Sequence, residues 1–383
     1  MDAEGKAQIP GGANVAAIAK NKNGSELKRI ILHLCKWSGI FHLSLALTKS
    51  KLRILCYHGF AADDEAEFRP RLFITQVTFE RRMKFLTARG FRVLGLAEAL
   101  KMMDANELPP KAVVLTIDDG FAGVFDRGLP VLIRNGFTST IYVTTYNQLK
   151  ATPVFRLVVQ YLFWKTRASH IDLPSIHPDL EGRLLLASER DRERAINAVT
   201  EHGEAKLDEP ARQKILERLA EQLAVDLATI LERRLFSIMT AAELKKAIAN
   251  GMTVELHTHR HRLPMDSGLV ATEIGDNRAV LEPLVGHTLK HFCYPSGLFD
   301  ETQWPWLTTL GVESATTCVP GLNDAHTPKL GLRRCLDGEN LSQIEFEAEM
   351  YGTATLLRSG RELVRRIAQG QSQLSGRKKS AAH

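Results

Sequence analysis

Two apolar runs, each ending in side chains that bind metals, constrain this 383-residue chain more than any other feature. Ala112-Val113-Val114-Leu115-Thr116-Ile117 leads into Asp118-Asp119-Gly120, and Met252 to Leu256 leads into His257-Thr258-His259-Arg260-His261. A catalytic zinc site takes three protein ligands and keeps one position for water or substrate. Asp119, His257 and His261 supply those three, and Asp118 is left over as a base for a water acidified by the cation. Neighbouring residues on a strand point to opposite faces, so two adjacent Asp share a site only where the strand has ended. Gly120 tolerates the turn that such an ending needs. His257 and His261 are four apart, which predicts one shared face if the chain turns helical directly after the strand.

Taken singly, an Asp-Asp-Gly is a turn and a His-rich pentapeptide a solvated loop. Their joint position is more specific, because both follow the C-terminal end of a strand, the edge on which α/β barrels and open α/β sheets place their chemistry.

The rest of the chain fits such a framework. Strand-like runs alternate with helical patterns: Ile54 to Tyr57, a helix from Thr78 to Ala88, Val113 to Ile117, a helix from Val124 to Asn135, and Thr140 to Val143. That alternation predicts an α/β fold of parallel strands with crossover helices. Asn135-Gly136 reads as a helix stop, and Thr240-Ala241-Ala242-Glu243 as a capping box opening a helix that stops at Asn250-Gly251. The expected organisation is a flexible leader over 1–27, an amphipathic helix over 28–50, and a barrel from 51–149 and 240–350. A helical insertion over 150–239 covers one side of it, and a basic C-terminal helix and tail occupy 351–383. Within the insertion, Asp208-Glu209-Pro210 reads as a helix start, followed by Ile215, Leu216, Leu219, Leu223 and Leu227 on one stripe.

At this point the residues resemble a known family, the polysaccharide deacetylases of carbohydrate esterase family 4, which include chitooligosaccharide and poly-N-acetylglucosamine deacetylases. Thr116-Ile117-Asp118-Asp119-Gly120 is similar to the family's Thr-Phe-Asp-Asp-Gly. His257-Thr258-x-x-His261, preceded by Gly251 and Glu255, is similar to its His-Ser/Thr-x-x-His. Phe292-Cys293-Tyr294-Pro295-Ser296-Gly297 stands where the family has Phe-Arg-x-Pro-Tyr-Gly. The resemblance spans Arg53 to Arg334 and implies a distorted (β/α)7 barrel with a surface groove. It also implies metal-dependent hydrolysis of an N-acetyl group on an amino sugar, releasing acetate, with Asp118 as base and Asp119, His257 and His261 as metal ligands. The Ser296 N–H would sit in the oxyanion hole, and Thr258 would orient the metal histidines. Zinc is the expected cation, with cobalt or nickel as alternatives.

This chain departs from the family at two places. The motif Arg that pairs with the base is Cys293, and the motif Tyr is Ser296; Arg333 and Arg334 both offer a replacement for the arginine. The late His that acts as general acid is missing, since no His lies between Arg334 and His383. His58, ending the run Ile54-Leu55-Cys56-Tyr57, resembles the early Tyr-His segment of the poly-N-acetylglucosamine branch and is the expected acid. Glu255 is expected to serve packing or to support a site residue rather than to act in catalysis, and His259 to be solvated or to touch substrate. Tyr294, Trp304 and Trp306 could line a sugar subsite, with core packing the expectation for at least one tryptophan.

Five cysteines, odd in number and without metal-binding spacing, imply no disulfide framework and fit a reducing compartment. The net charge of +6 favours anionic membrane or polysaccharide, while the absence of a long basic run argues against nucleic acid. Residues 1–27 have no apolar core of the kind a cleaved signal needs. Ile30 to Leu47 is apolar but interrupted by His33, Lys36 and His42; packing on the barrel is the first reading and an interfacial helix anchored by Trp37 the second. The expected location is cytoplasmic, with peripheral contact at the inner membrane surface as an extension. The leading functional expectation is an N-deacetylase acting on a polysaccharide, oligosaccharide or lipid-linked glycan precursor. The alternative is a catalytically weak carbohydrate-binding protein that keeps the barrel.

Overall fold

The computed structural model describes residues 15–362 and Arg365, with side chains from Gly24 onward. Eight strands form the main sheet: β1 (Arg53–Tyr57), β2 (Arg92–Leu94), β3 (Ala112–Ile117), β4 (Ser139–Val143), β5 (Met252–Leu256), β6 (His291–Cys293), β7 (Ser314–Pro320) and β8 (Leu332–Leu336). All their pairings are parallel. β1 pairs with both β8 and β3, so seven strands close into a ring and β2 flanks the first half of β3. The expected (β/α)7 barrel is borne out. Its distortion is visible in a register shift between β7 and β8 and in the three-residue length of β6.

Parallel strands covered on both faces need near-continuous apolar sequence, and β1 and β3 are buried at every position. Leu52, Ile54, Val114, Tyr142, Cys293 and Leu332 meet in one core cluster. Outer helices follow the expected caps: α3 (Gln76–Ala88) starts at Thr75, whose side chain accepts from the Thr78 N–H. Further along, α9 (Ala241–Ala249) opens with the complete Thr240/Glu243 capping box. The expected Val124–Asn135 helix is split into a π-turn over Val124–Gly128 and a helix, α5 (Leu129–Asn135), stopped by left-handed Gly136. Other helices are α4 (Leu96–Asp104), α10 (Ser267–Val285) and α11 (Gln343–Met350).

Ahead of the barrel, α1 (Val15–Trp37) begins inside the segment expected to be a flexible leader, while residues 1–14 lie outside the described residues. The single amphipathic helix expected over 28–50 is two helices. Left-handed Gly39 (φ 83°) breaks the run, and α2 (Ile40–Thr48) follows. The tail is helical to Glu362, and the remainder of that expectation falls outside the described residues apart from Arg365.

A second compact unit contains the described residues up to Ile31 together with Pro153–Arg234. In its helical part α6 (Phe155–Lys165), α7 (Glu189–Lys206) and α8 (Glu209–Leu223) bury Val158, Leu162, Val199, Ile215, Leu219 and Leu223. Asp208 caps α8 through the Ala211 N–H, and Pro210 stands in the first turn, where its missing N–H costs nothing.

Candidate active site

Residues just beyond the C-terminal ends of β1, β3 and β5 converge with Cys293 at the end of β6 and a side chain from β8. After Ile117 the chain leaves the sheet through Asp119 (φ 69°) and Gly120 (φ 81°), both left-handed. The positive φ of Gly120 favours glycine, and a Cβ there would also crowd Val143 Cγ1 at 3.2 Å. The turn lets two adjacent carboxylates serve one site, as their sequence position required.

Asp118 is fully enclosed. Arg334 donates to it through Nη1 at 2.7 Å and Nη2 at 2.8 Å, and His58 Nε2 lies 3.6 Å away. Cys293 and Cys56 donate weakly through sulfur at 3.3 and 3.5 Å. Burial opposes the charge on Asp118, but the Arg334 guanidinium and His58 outweigh it and hold the carboxyl well below its usual range. The choice between the two arginines resolves by strand alternation: Arg334 points into the barrel, whereas Arg333 is exposed and is corrected from site residue to outer-face residue. Arg334 Nη2 also lies 3.2 Å from Cys293 Sγ. A guanidinium from β8 thus lies beside the position where the resembled motif carries its own arginine.

Asp119 Oδ1 lies 3.2 Å from His257 Nε2 and 3.2 Å from His261 Nε2. The two rings are 4.9 Å apart, yet no helix joins them. Left-handed Thr258 (φ 64°) and His261 (φ 53°) fold the loop back instead, which corrects the expected helical turn. Thr258 Oγ1 accepts the Arg262 N–H at 3.1 Å and so holds this loop. His257 Nδ1 donates to the Cys293 carbonyl at 2.8 Å, a bond that fixes the ring and turns Nε2 toward Asp119.

The donor set fits a divalent cation of the zinc type. The ligand atoms of Asp119, His257 and His261 lie within 4.8 Å of one another. The site also favours positive charge. Burial works against a charged His257, but its contact with Asp119 prevails and raises it. Asp119 is likewise pulled well below its usual range, because the two imidazoles outweigh the effect of burial. Asp119 and His257 are buried while the His261 side chain is 39% exposed, so access is from the His261 side.

Ser296 is exposed in the Pro295–Gly297 turn with φ 57°, and among the described residues its N–H meets no acceptor. His58 is partly exposed, and burial lowers it despite the pull of Asp118. Tyr294 is fully buried, donates to the Leu330 carbonyl at 2.9 Å and stacks on Phe299, so it is corrected from sugar contact to core. Trp304 and Trp306 are half-buried. Glu255 accepts N–H bonds from Lys290 and His291 and ties β5 to β6. His259 is buried rather than solvated, with Nδ1 2.8 Å from Thr145 Oγ1.

One residue escaped sequence reading. Asn277 of α10 accepts the His257 N–H at 3.0 Å and donates to the Val143 carbonyl and Thr145 Oγ1, each at 3.0 Å. Its only sequence signal is an amide on the helix face that also carries Ile274, Val280 and Leu281.

Residues 212–315 match the sequence model of the polysaccharide deacetylase family. YxkH of Bacillus subtilis (strain 168), whose name assigns it provisionally to the polysaccharide deacetylases, is 32% identical over 95 residues. Those residues are 24% of this chain and 32% of the relative, so the match spans about a third of the curated protein's length. Among solved structures, the Streptococcus pyogenes deacetylase PplD in complex with acetate has a TM-score of 0.52 at 18% identity. That alignment covers 78% of this chain and 98% of PplD, and it supports the barrel. IcaB from Ammonifex degensii aligns with a TM-score of 0.49 at 18% identity, covering 79% and 97%. Over residues 212–315, which include the histidine motif, this chain is thus similar to the polysaccharide deacetylase family, and its closed seven-stranded barrel is similar to the fold of PplD.

Proposed function

We propose that the chain hydrolyses the N-acetyl group of an amino sugar in a polysaccharide, oligosaccharide or lipid-linked glycan precursor, releasing acetate and leaving a free amine. The observation that carries this reading is the meeting of an ionised, arginine-clamped Asp118 with the Asp119/His257/His261 donor set at one barrel edge. Those three residues would hold a divalent cation, zinc before cobalt or nickel. When bound, the cation supplies Lewis acidity toward the acyl oxygen and toward water.

The remaining work falls to side chains of this protein. Asp118, kept ionised by Arg334, takes a proton from the attacking water as the new C–O bond forms. The unpaired Ser296 N–H donates to the oxygen that gains charge. His58, 3.6 Å from Asp118 and favoured neutral by burial, can accept that proton and deliver it to the nitrogen as the C–N bond breaks. The amine then leaves neutral, and the proton count closes.

The test is acetate release from N-acetylglucosamine oligomers and a bacterial surface-polysaccharide extract by cation-loaded protein. Release that disappears in Asp118→Asn and falls sharply in His58→Ala supports the assignment. Release unaffected by Asp118→Asn would remove it.

A further inference from the structure

We propose that the outward face of the α1–α2 elbow seats on an anionic lipid surface. On its inner side α2 packs Phe41 against Leu32, Ile344, Ala348 and Tyr351, and Ser44 and Thr48 are buried beside it. Packing on the barrel is therefore satisfied by one face. The other face is also apolar: Leu34 is 59% exposed, Trp37 89%, Ile40 42%, Leu43 61% and Leu47 65%. Single exposed apolar residues are ordinary, but a contiguous set on one elbow marks an interaction surface.

Charge selects the occupant. Residues 24–51 contain five Lys or Arg against one Glu, and residues 358–383 contain seven against one Glu, although the whole chain is only +6. The two segments therefore carry more than the entire positive surplus, and the remaining chain is net acidic. Two described stretches border the patch: Lys49 closes α2, and Ala354, four residues ahead of Arg358, packs in the Phe41 cluster and is followed by exposed Leu356 and Leu357. Lys36, Lys51 and Arg358 are ion-paired with Glu347, Asp324 and Glu349, while Lys49 and the further basic residues of the two segments add to the positive surplus. Apolar side chains with an exposed Trp next to such segments suit the boundary between acyl chains and anionic headgroups. No single described helix is long and apolar enough to cross a membrane; the pair bent by 80° reaches that length and composition only together. With Phe41, Ser44 and Thr48 of α2 buried on the inner side, only the outer face is left for lipid, which favours a pair lying in the surface. A second protein copy would need no such concentration of one charge sign.

The experiment is sedimentation of the full chain with phosphatidylcholine vesicles, with and without phosphatidylglycerol, followed by tryptophan emission. Wild type is expected to sediment with the anionic vesicles and shift its emission to the blue. Trp37→Phe should lose the shift while still sedimenting. Trp37→Ser/Leu43→Ser/Leu47→Ser, all exposed positions, should bind about tenfold more weakly or worse at unchanged thermal stability. Three results overturn the proposal: no sedimentation, equal sedimentation of the triple variant, or a wild-type dimer indifferent to lipid that the triple variant converts to monomer. Equal binding to neutral vesicles overturns the electrostatic part.

Discussion

Arg334 spans both oxygens of Asp118, at 2.7 and 2.8 Å, with neither residue accessible to solvent beyond a trace. The pair joins the end of β3 to β8 across the barrel interior. It fixes the carboxylate and keeps it ionised, so the residue assigned as base is also one half of a buried ion pair.

Removing the arginine leaves a buried carboxylate without its partner. Arg334→Met should destabilise the fold by about 3–5 kcal/mol at neutral pH and abolish turnover. The sign with pH follows from the depressed Asp118: its stabilisation is full above the ordinary carboxylate range and is lost as pH falls through and below it. The deficit of Arg334→Met should therefore shrink as the pH is lowered. Urea unfolding at several pH values checks this, and a deficit that grows toward acid would be incompatible with it.

For the cation, Asp119→Asn and His261→Ala each remove a donor. Both should weaken zinc binding by more than the roughly 10–100-fold typical of losing an outer hydrogen-bond partner. Titration calorimetry reads this without any assay of turnover, and chelation followed by re-addition should abolish and restore acetate release. Unchanged zinc affinity in both variants would dissociate the cation from this site.

Asn277 holds the His257 backbone to the end of β4, and its truncation leaves a buried N–H and a buried carbonyl without partners. Asn277→Ala should cost about 1–3 kcal/mol of stability. It should also lower zinc affinity by about 10–100-fold, since the ligand ring is no longer fixed. Loss of stability with unaltered zinc affinity would make Asn277 a packing residue only.

Much of this site was legible because ligands sit beside unmistakable apolar strands. Asp118, Asp119, His257 and His261 announced themselves by residue type and by position at a strand end, and parallel topology forces such ends to one edge of a barrel. What stayed open depended on contacts made across the chain. Arg333 and Arg334 are equivalent in sequence, and only strand register says which points inward. The loop carrying His261 follows left-handed residues that have no glycine to betray them, so the i,i+4 spacing suggested a helix that does not form. Tyr294 looked like a sugar platform from composition, while its burial is set by Phe299 and the Leu330 carbonyl. The helix boundaries near the N-terminus differ for a similar reason: one apolar run is cut by Gly39, and its two faces meet different surroundings.

The joint between β5 and β6 carries two titrations of opposite sign. Burial pushes Glu255 up to about 7, against the N–H bonds from Lys290 and His291. The unfolded chain ionises this group near 4.5, so between 4.5 and 7 the folded protein holds more protons and stability falls as pH rises. Burial also pushes His291, 2.8 Å from Ser314 Oγ, down to about 4 despite Glu313. There the unfolded chain holds more protons between 4 and 6.5, so stability rises with pH across that window. Where the windows overlap the two contributions oppose each other, each limited to about 1.4 kcal/mol per pH unit. His291→Gln should leave the Glu255 slope uncovered, so that its stability relative to wild type declines from pH 4.5 to 6.5. Glu255→Gln should do the reverse over the same interval. Denaturant midpoints at half-unit steps from pH 4 to 7.5 measure both differences, and profiles parallel to wild type in either variant would show that the residue does not titrate where the barrel's burial places it.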